Sequence, residues 1–72
     1  MTNQINPNKL HHSKWSAVQP KDKEKHFIVT ELVRDEQDTV VNVVLQAVLT
    51  QHERTLHWRE LKDDTTWQNG WQ

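Results

Sequence analysis

Four tryptophans, Trp15, Trp58, Trp67 and Trp71, stand in a chain of 72 residues. An indole either buries a large area in a core or, left exposed, stacks on bases and anchors protein partners. Trp15 and Trp58 fall in alternating segments, which predicts core. Trp67 and Trp71 are four apart, a spacing that sets both on one face of a helical turn. There they either close over the core or form an exposed contact platform. Basic residues interleave with rings in the first half: Lys14 beside Trp15, then Lys25-His26-Phe27. Cationic side chains among aromatic rings are what single-stranded nucleic acid requires. The plainer reading is a solvated loop, because Lys21-Asp22-Lys23-Glu24-Lys25 alternates in sign and largely neutralises itself.

The other reactive side chains make no catalytic pattern. His11 and His12 are adjacent and would face apart in a strand, as would His52 and His57, five residues apart. Neither pair has a zinc-ligand spacing. Without cysteine there is no thiolate ligand, nucleophile or disulfide. The only glycine, Gly70, rules out a glycine-rich phosphate loop, and Ser13 and Ser16 lie in no nucleophile-elbow context. A catalytic site and a bound cofactor are therefore not expected, and no metal is expected either.

The elements that must position these residues are short. One domain is all that 72 residues provide, and the charge of −1 excludes a wholesale polycation. That charge is uneven: residues 1–30 carry +3 and residues 31–72 carry −4. Mean hydropathy is low at −0.97. Even so, Leu, Ile, Val and Phe make up 17 of 72 residues, and with the tryptophans this predicts a folded domain rather than a disordered chain. The run between Asp38 and Glu53 is broken by Asn42, Gln46 and Gln51 and is too polar to span a membrane. Met1-Thr2-Asn3-Gln4 lacks the basic-then-apolar layout of a secretory signal, so the cytoplasm is the expected location.

Residues 1–5 are expected to fray and residues 6–72 to form a single small β domain. Asn6-Pro7 predicts a capped helical turn. Ser13–Val18 alternates as a first strand, and Gln19–Lys25 follows as a charged loop. His26–Arg34 is a second strand, with Phe27, Val29 and Val33 on one face and Ile28 and Leu32 on the other. Val40–Thr50 fits helix and strand periods alike, but its five valines lose χ1 freedom in a helix and favour a pleat. Arg54–Leu61 is a fourth strand. Asp63-Asp64 then caps a last turn reaching Trp67, and Gly70 supplies a left-handed residue. The expected fold is all-β: a four-stranded antiparallel meander curled into a small SH3-like half-barrel, with short helical turns at both ends. Curling would bury both apolar faces of strands two and three. A two-layer sheet with terminal turns is the alternative.

Several segments together resemble a small family of bacterial tryptophan-rich conserved hypothetical proteins of unknown function. They are Asn6-Pro7 with Lys9-Leu10, Ser13-Lys14-Trp15-Ser16-Ala17-Val18 and Pro20, then Glu24-Lys25-His26-Phe27 and Leu32-Val33-Arg34-Asp35-Glu36. Ala47-Val48-Leu49-Thr50, Trp58-Arg59-Glu60-Leu61-Lys62-Asp63, Trp67 and Gly70-Trp71 complete the set. The resemblance implies no activity, cofactor or catalytic residue, and His11-His12 departs from it. It does suggest that Lys14, Lys25, His26, Arg59 and Lys62 gather beside aromatic rings as a cationic face. The expected function is a non-enzymatic binding or adaptor domain that contacts a protein partner, or a second copy of itself, through an aromatic-bearing face or a sheet edge. The candidate residues are Lys14, Trp15, Lys25, His26, Phe27, Arg59, Lys62, Trp67 and Trp71. The alternative is a small RNA- or single-stranded-DNA-binding barrel using the basic and aromatic N-terminal face.

Overall fold

The Asn6 side chain accepts the Asn8 N–H at 3.1 Å, and Pro7 opens the 3-10 turn η1 (Pro7–Lys9), as Asn-Pro predicts. Five strands follow: β1 (Lys14–Lys21), β2 (Glu24–Arg34), β3 (Val40–Ala47), β4 (Glu53–His57) and β5 (Trp67–Asn69). A second 3-10 turn, η2 (Trp58–Lys62), lies between β4 and β5. The structure, a computed structural model, describes residues 3–21 and 23–72. All pairings are antiparallel and the strand order is β4-β3-β2-β1-β5. Four strands thus form the expected meander, and β5 returns across the sheet to pair with β1.

Val40–Ala47 is pleated, with Val43, Leu45 and Ala47 buried on one face. Register carries that face across the sheet: Ala47 lies opposite Phe27, which lies opposite Trp15, while Ala17 lies opposite Trp67. Leu45 pairs with Val29, and Val43 with Leu32 and Leu56. Over this face pack Leu10 from the η1 segment, Leu61 from η2, and the half-buried Ile5 and Trp58. Asn3 ties the first described residues to the same cover. Its backbone N–H donates to Lys62 O at 3.0 Å, and its side-chain amide donates to Leu61 O and Trp67 O at 2.7 and 2.9 Å. Met1 and Thr2, the rest of the expected N-terminal tail, lie outside the described residues.

The half-barrel is corrected to an open sheet, neither closed nor strongly curled, in a slab 37 × 29 × 15 Å across. Two features remove the need to curl. A register shift between Val29 and Glu31 inserts an extra residue into β2, which moves Leu32 to the face of Phe27 and Val29 and leaves Val33 exposed. The apolar surface that this leaves on one side is then met by chain rather than by more sheet.

Other boundaries also shift. The expected loop over Gln19–Lys25 is largely strand, since Lys21 pairs with Glu24; Asp22 lies outside the described residues. The fourth strand stops at His57, where a capping box turns the chain into η2. The His57 Nδ1 accepts the Arg59 N–H, and the Glu60 carboxylate accepts the His57 N–H, each at 3.1 Å. Asp63 caps no helical turn running to Trp67. Its carboxylate instead accepts from the Thr65 N–H and from the Thr65 and Thr66 hydroxyls, and Trp67 enters β5. The C-terminal helical turn is thus placed before β5 rather than at the chain's end.

Trp67 meets Phe27 edge-on, with ring centroids 5.2 Å apart and planes at 84°. Truncating a buried tryptophan costs the transfer free energy plus a cavity, so Trp67→Ala is expected to lose about 3–5 kcal/mol in urea unfolding. Val33→Ala, outside the core by virtue of the bulge, should lose less than about 1 kcal/mol. Comparable losses at the two positions would contradict the register described.

Candidate binding surface

Gly70 is where the two C-terminal tryptophans part company. Its φ of +83° is left-handed, which only glycine adopts without strain, and the turn carries the chain to the opposite side of the sheet. Ser16, buried next to the core residue Trp15, holds the turn from that side. Its hydroxyl donates to Gly70 O at 2.7 Å and accepts the Gln72 N–H at 2.9 Å. The Gly70 N–H itself donates to Lys14 O at 2.8 Å.

Trp71 is thereby laid on β1 and β2 on the side away from the core. Its indole N–H donates to Phe27 O at 3.0 Å, and its ring stacks on His26 at 5.7 Å between centroids. The Lys14 ammonium stands 4.7 Å from its ring centroid. His26 Nε2 lies 3.0 Å from Gln72 O, and since a carbonyl only accepts, that nitrogen donates. The indole is fixed on several sides and still 43% exposed.

The β3–β4 hairpin tip extends this surface. Its Val48 N–H donates to His26 O at 2.9 Å, and Val48 and Leu49 both face solvent, Leu49 at 73% exposure. With Lys23, Lys25 and His26 they line a shallow groove of about 360 Å3. Lys14, Lys25, His26 and Trp71, four of the residues expected from sequence, therefore share one side of the sheet.

The other candidate residues go elsewhere. Trp15 and Phe27 are each 1% exposed and Trp67 is buried with them, so none of the three offers a ring to a ligand. Arg59 and Lys62 belong to η2 and lie over the half-buried Trp58, at 5.6 and 5.3 Å from its ring, with His57 stacked nearby. The single cationic face expected from sequence is thus two groups around two tryptophans. His11 and His12 do not face apart: they lie in a turn, with His12 at φ +68°, and their rings stack at 3.8 Å.

One cluster escaped the sequence reading. Glu24, read as part of a solvated loop, is only 8% exposed. Its carboxylate accepts the Thr50 hydroxyl, lies 3.1 Å from His52 Nδ1 and 3.9 Å from the Arg54 guanidinium. Arg54 in turn covers the Phe27 ring at 5.3 Å. Glu24 and Arg54 border a cleft of about 240 Å3 that reaches the edges of the buried Phe27 and Trp67. Nothing in the local sequence signalled it: Arg54 is exposed and solvated, and only the pairing of β2 with β3 and of β3 with β4 brings Glu24, Thr50, His52 and Arg54 together. The Thr50 hydrogen bond, with His52 and Arg54 behind it, holds the Glu24 carboxyl below its ordinary range against the opposing effect of desolvation.

Residues 13–72 match the family described as tryptophan-rich protein (DUF2389). The chain belongs to that family. The match takes in all five strands, η2 and the four tryptophans, and leaves out the Asn6-Pro7 turn and His11-His12. No curated protein and no solved structure matches the chain.

The depressed Glu24 pKa has a definite sign. A carboxyl that ionises more readily folded than unfolded adds stability above the unfolded pKa, and loses it as pH falls through the folded one. Asp63, lowered by its bonds to Thr65 and Thr66, acts in the same direction. Urea midpoints between pH 6 and pH 2 should fall with acid, and Glu24→Gln should make that acid limb shallower while lowering the neutral plateau. An unchanged acid limb would show that the Glu24 cluster contributes nothing to it.

Proposed function

We propose that this DUF2389 chain is a non-enzymatic binding module that takes a segment of a protein partner on its Trp71 surface. The segment it suits is acidic with apolar side chains. Lys14, Lys23, Lys25 and His26 offer positive charge and hydrogen bonds, while Trp71, Val48 and Leu49 offer apolar contact. The observation that carries this reading is the fixing of Trp71: a ring clamped by its own N–H, by His26 and by the Gly70 turn, yet open to solvent. An anchor already immobilised spares most of the ordering entropy that binding otherwise costs. Tryptophans in such positions are the side chains that dominate interface energies.

Nucleic acid is the weaker occupant. Two of the rings that would have stacked on bases, Trp15 and Phe27, are core. Trp71 alone would remain on that side, and strand binding usually relies on successive stacking positions.

Titration of the isotope-labelled protein with a peptide of mixed Glu and Leu should shift the Trp71 indole N–H and the amides of Lys25, His26 and Leu49. Trp71→Ala should weaken the peptide at least about tenfold, the range of a modest hot spot, while the fold persists by circular dichroism despite the packing the ring gives up. Shifts confined to other surfaces, or none at millimolar peptide, would overturn the assignment. The same shifts produced by an oligothymidylate, weakening steeply with salt, would transfer the surface to nucleic acid.

A further inference from the structure

The two edges of the sheet are unlike. On one side β5 is three residues long and ends at the Gly70 turn. On the other, β4 is five residues, Glu53-Arg54-Thr55-Leu56-His57, without proline, glycine or lysine. Its pairing with β3 runs without a register shift, unlike β1–β2 and β2–β3. Short strands, bulges, prolines and charged side chains are the usual means of discouraging a further strand; β4 has no bulge, proline or lysine, and its protection is limited to its modest length and the charges of Glu53 and Arg54.

Which backbone groups the edge offers follows from a single bond. Ala47 N–H donates to His52 O, so in the antiparallel ladder His52, Arg54 and Leu56 turn their groups toward β3. Glu53, Thr55 and His57 turn theirs outward. The His57 N–H is already taken by Glu60, which leaves Glu53 and Thr55 with outward N–H and C=O groups that have no strand partner among the described residues.

We infer that β4 pairs antiparallel with β4 of a second copy of this chain, about a two-fold axis at Thr55. In that register the two Thr55 residues exchange N–H···O=C bonds. Glu53 of each copy falls directly opposite His57 of the other, on the side of the sheet shared with Lys14 and Trp71. The imidazole is prepared for this. Its Nδ1 accepts the Arg59 N–H, so in the neutral ring the proton sits on Nε2, as a donor for a carboxylate. On the core side, Arg54 falls opposite Leu56. The sequence is thus complementary to itself in one register, with acid against donor at both ends and threonine against threonine at the centre. Stable interfaces bury about 1,200–2,000 Å2 in total, more than one strand pair supplies, so the association is weak and governed by concentration.

Sedimentation equilibrium of the full chain from ~10 μM to ~1 mM, the range where a weak dimer forms, tests this. The mass should climb from 8.6 kDa toward twice that value. Thr55→Pro removes the central outward N–H where an edge tolerates proline. Glu53→Arg sets a cation opposite the imidazole and leaves the backbone intact. Each should weaken the dimer about tenfold or more, with the circular dichroism of the parent. Trp71→Ala should leave dimerisation unchanged, so this pairing and the proposed partner surface stand or fall separately. A mass of 8.6 kDa at every concentration would overturn the pairing, as would a dimer indifferent to Glu53→Arg or one abolished by Trp71→Ala.

Discussion

The contact on which the rest of this molecule depends is the edge-on packing of Trp67 against Phe27. It joins the last strand to the middle of the chain. With only three residues, β5 has few ladder bonds of its own, and a strand so short is not held by backbone pairing alone. Trp67 supplies the missing apolar area in line with Ala17, and Asn3 bonds to its carbonyl from the other direction. Once β5 is fixed, the Asp63–Thr66 turn and η2 are held at both ends, and Leu61 is kept in the core cluster that includes Val43 and Leu45. The thin cover over the sheet is thus stabilised from the C-terminal side.

From that contact the Trp71 surface follows by geometry. Two tryptophans four apart in a continued strand would lie on one face, because side chains alternate with period two. The left-handed Gly70 breaks that rule at one residue and delivers the second indole to the far side. Ser16 is the reason the turn is stable there. It is a small polar residue between the bulky Trp15 and the β5 return, buried without cost because both of its hydrogen-bonding roles are filled. One ring therefore stabilises the sheet from within, while the other rests on its outer side.

What could be read from sequence was what depends on local chemistry. The valines of Val40–Ala47 disclosed their pleat, Asn6-Pro7 its capped turn, and Gly70 its positive φ. What could not be read depends on long-range placement. A bulge at Thr30–Glu31 leaves no mark in composition, yet it exchanges the roles of Leu32 and Val33 and so removes the argument for a barrel. The end of β4 was set by Glu60 reaching back to His57, an interaction that resembles ordinary strand-edge polarity until the chain turns. Trp67 looked like a helical residue because its i,i+4 partner was another tryptophan, a period that proved accidental. Of the site, Lys14, Lys25, His26 and Trp71 were found together. Trp15, Phe27 and Trp67 were drawn in by ring type, and their burial could be learned only from the register.

The uneven charge along the chain takes on meaning only after folding. The basic residues of the acidic second half are spent locally: Arg54 on Glu24 and Phe27, Arg34 on Asp38 and Asn8, Arg59 and Lys62 on Trp58. Guanidinium groups suit this, since their flat, weakly hydrated planes lie well on rings. The lysines of the first half are placed differently. Lys14 reaches the exposed Trp71, and Lys23 and Lys25 border the groove with Val48 and Leu49. Lysine keeps a strongly hydrated charge on a flexible stem, which suits a surface that must meet a carboxylate arriving from solution. The arginines, with Lys62, thus serve contacts within the fold, while Lys14, Lys23 and Lys25 stand at the Trp71 surface. An asymmetry of +3 against −4 along the sequence becomes, in space, a positive and apolar patch around Trp71, with Glu53 of β4 farther out on the same side of the sheet.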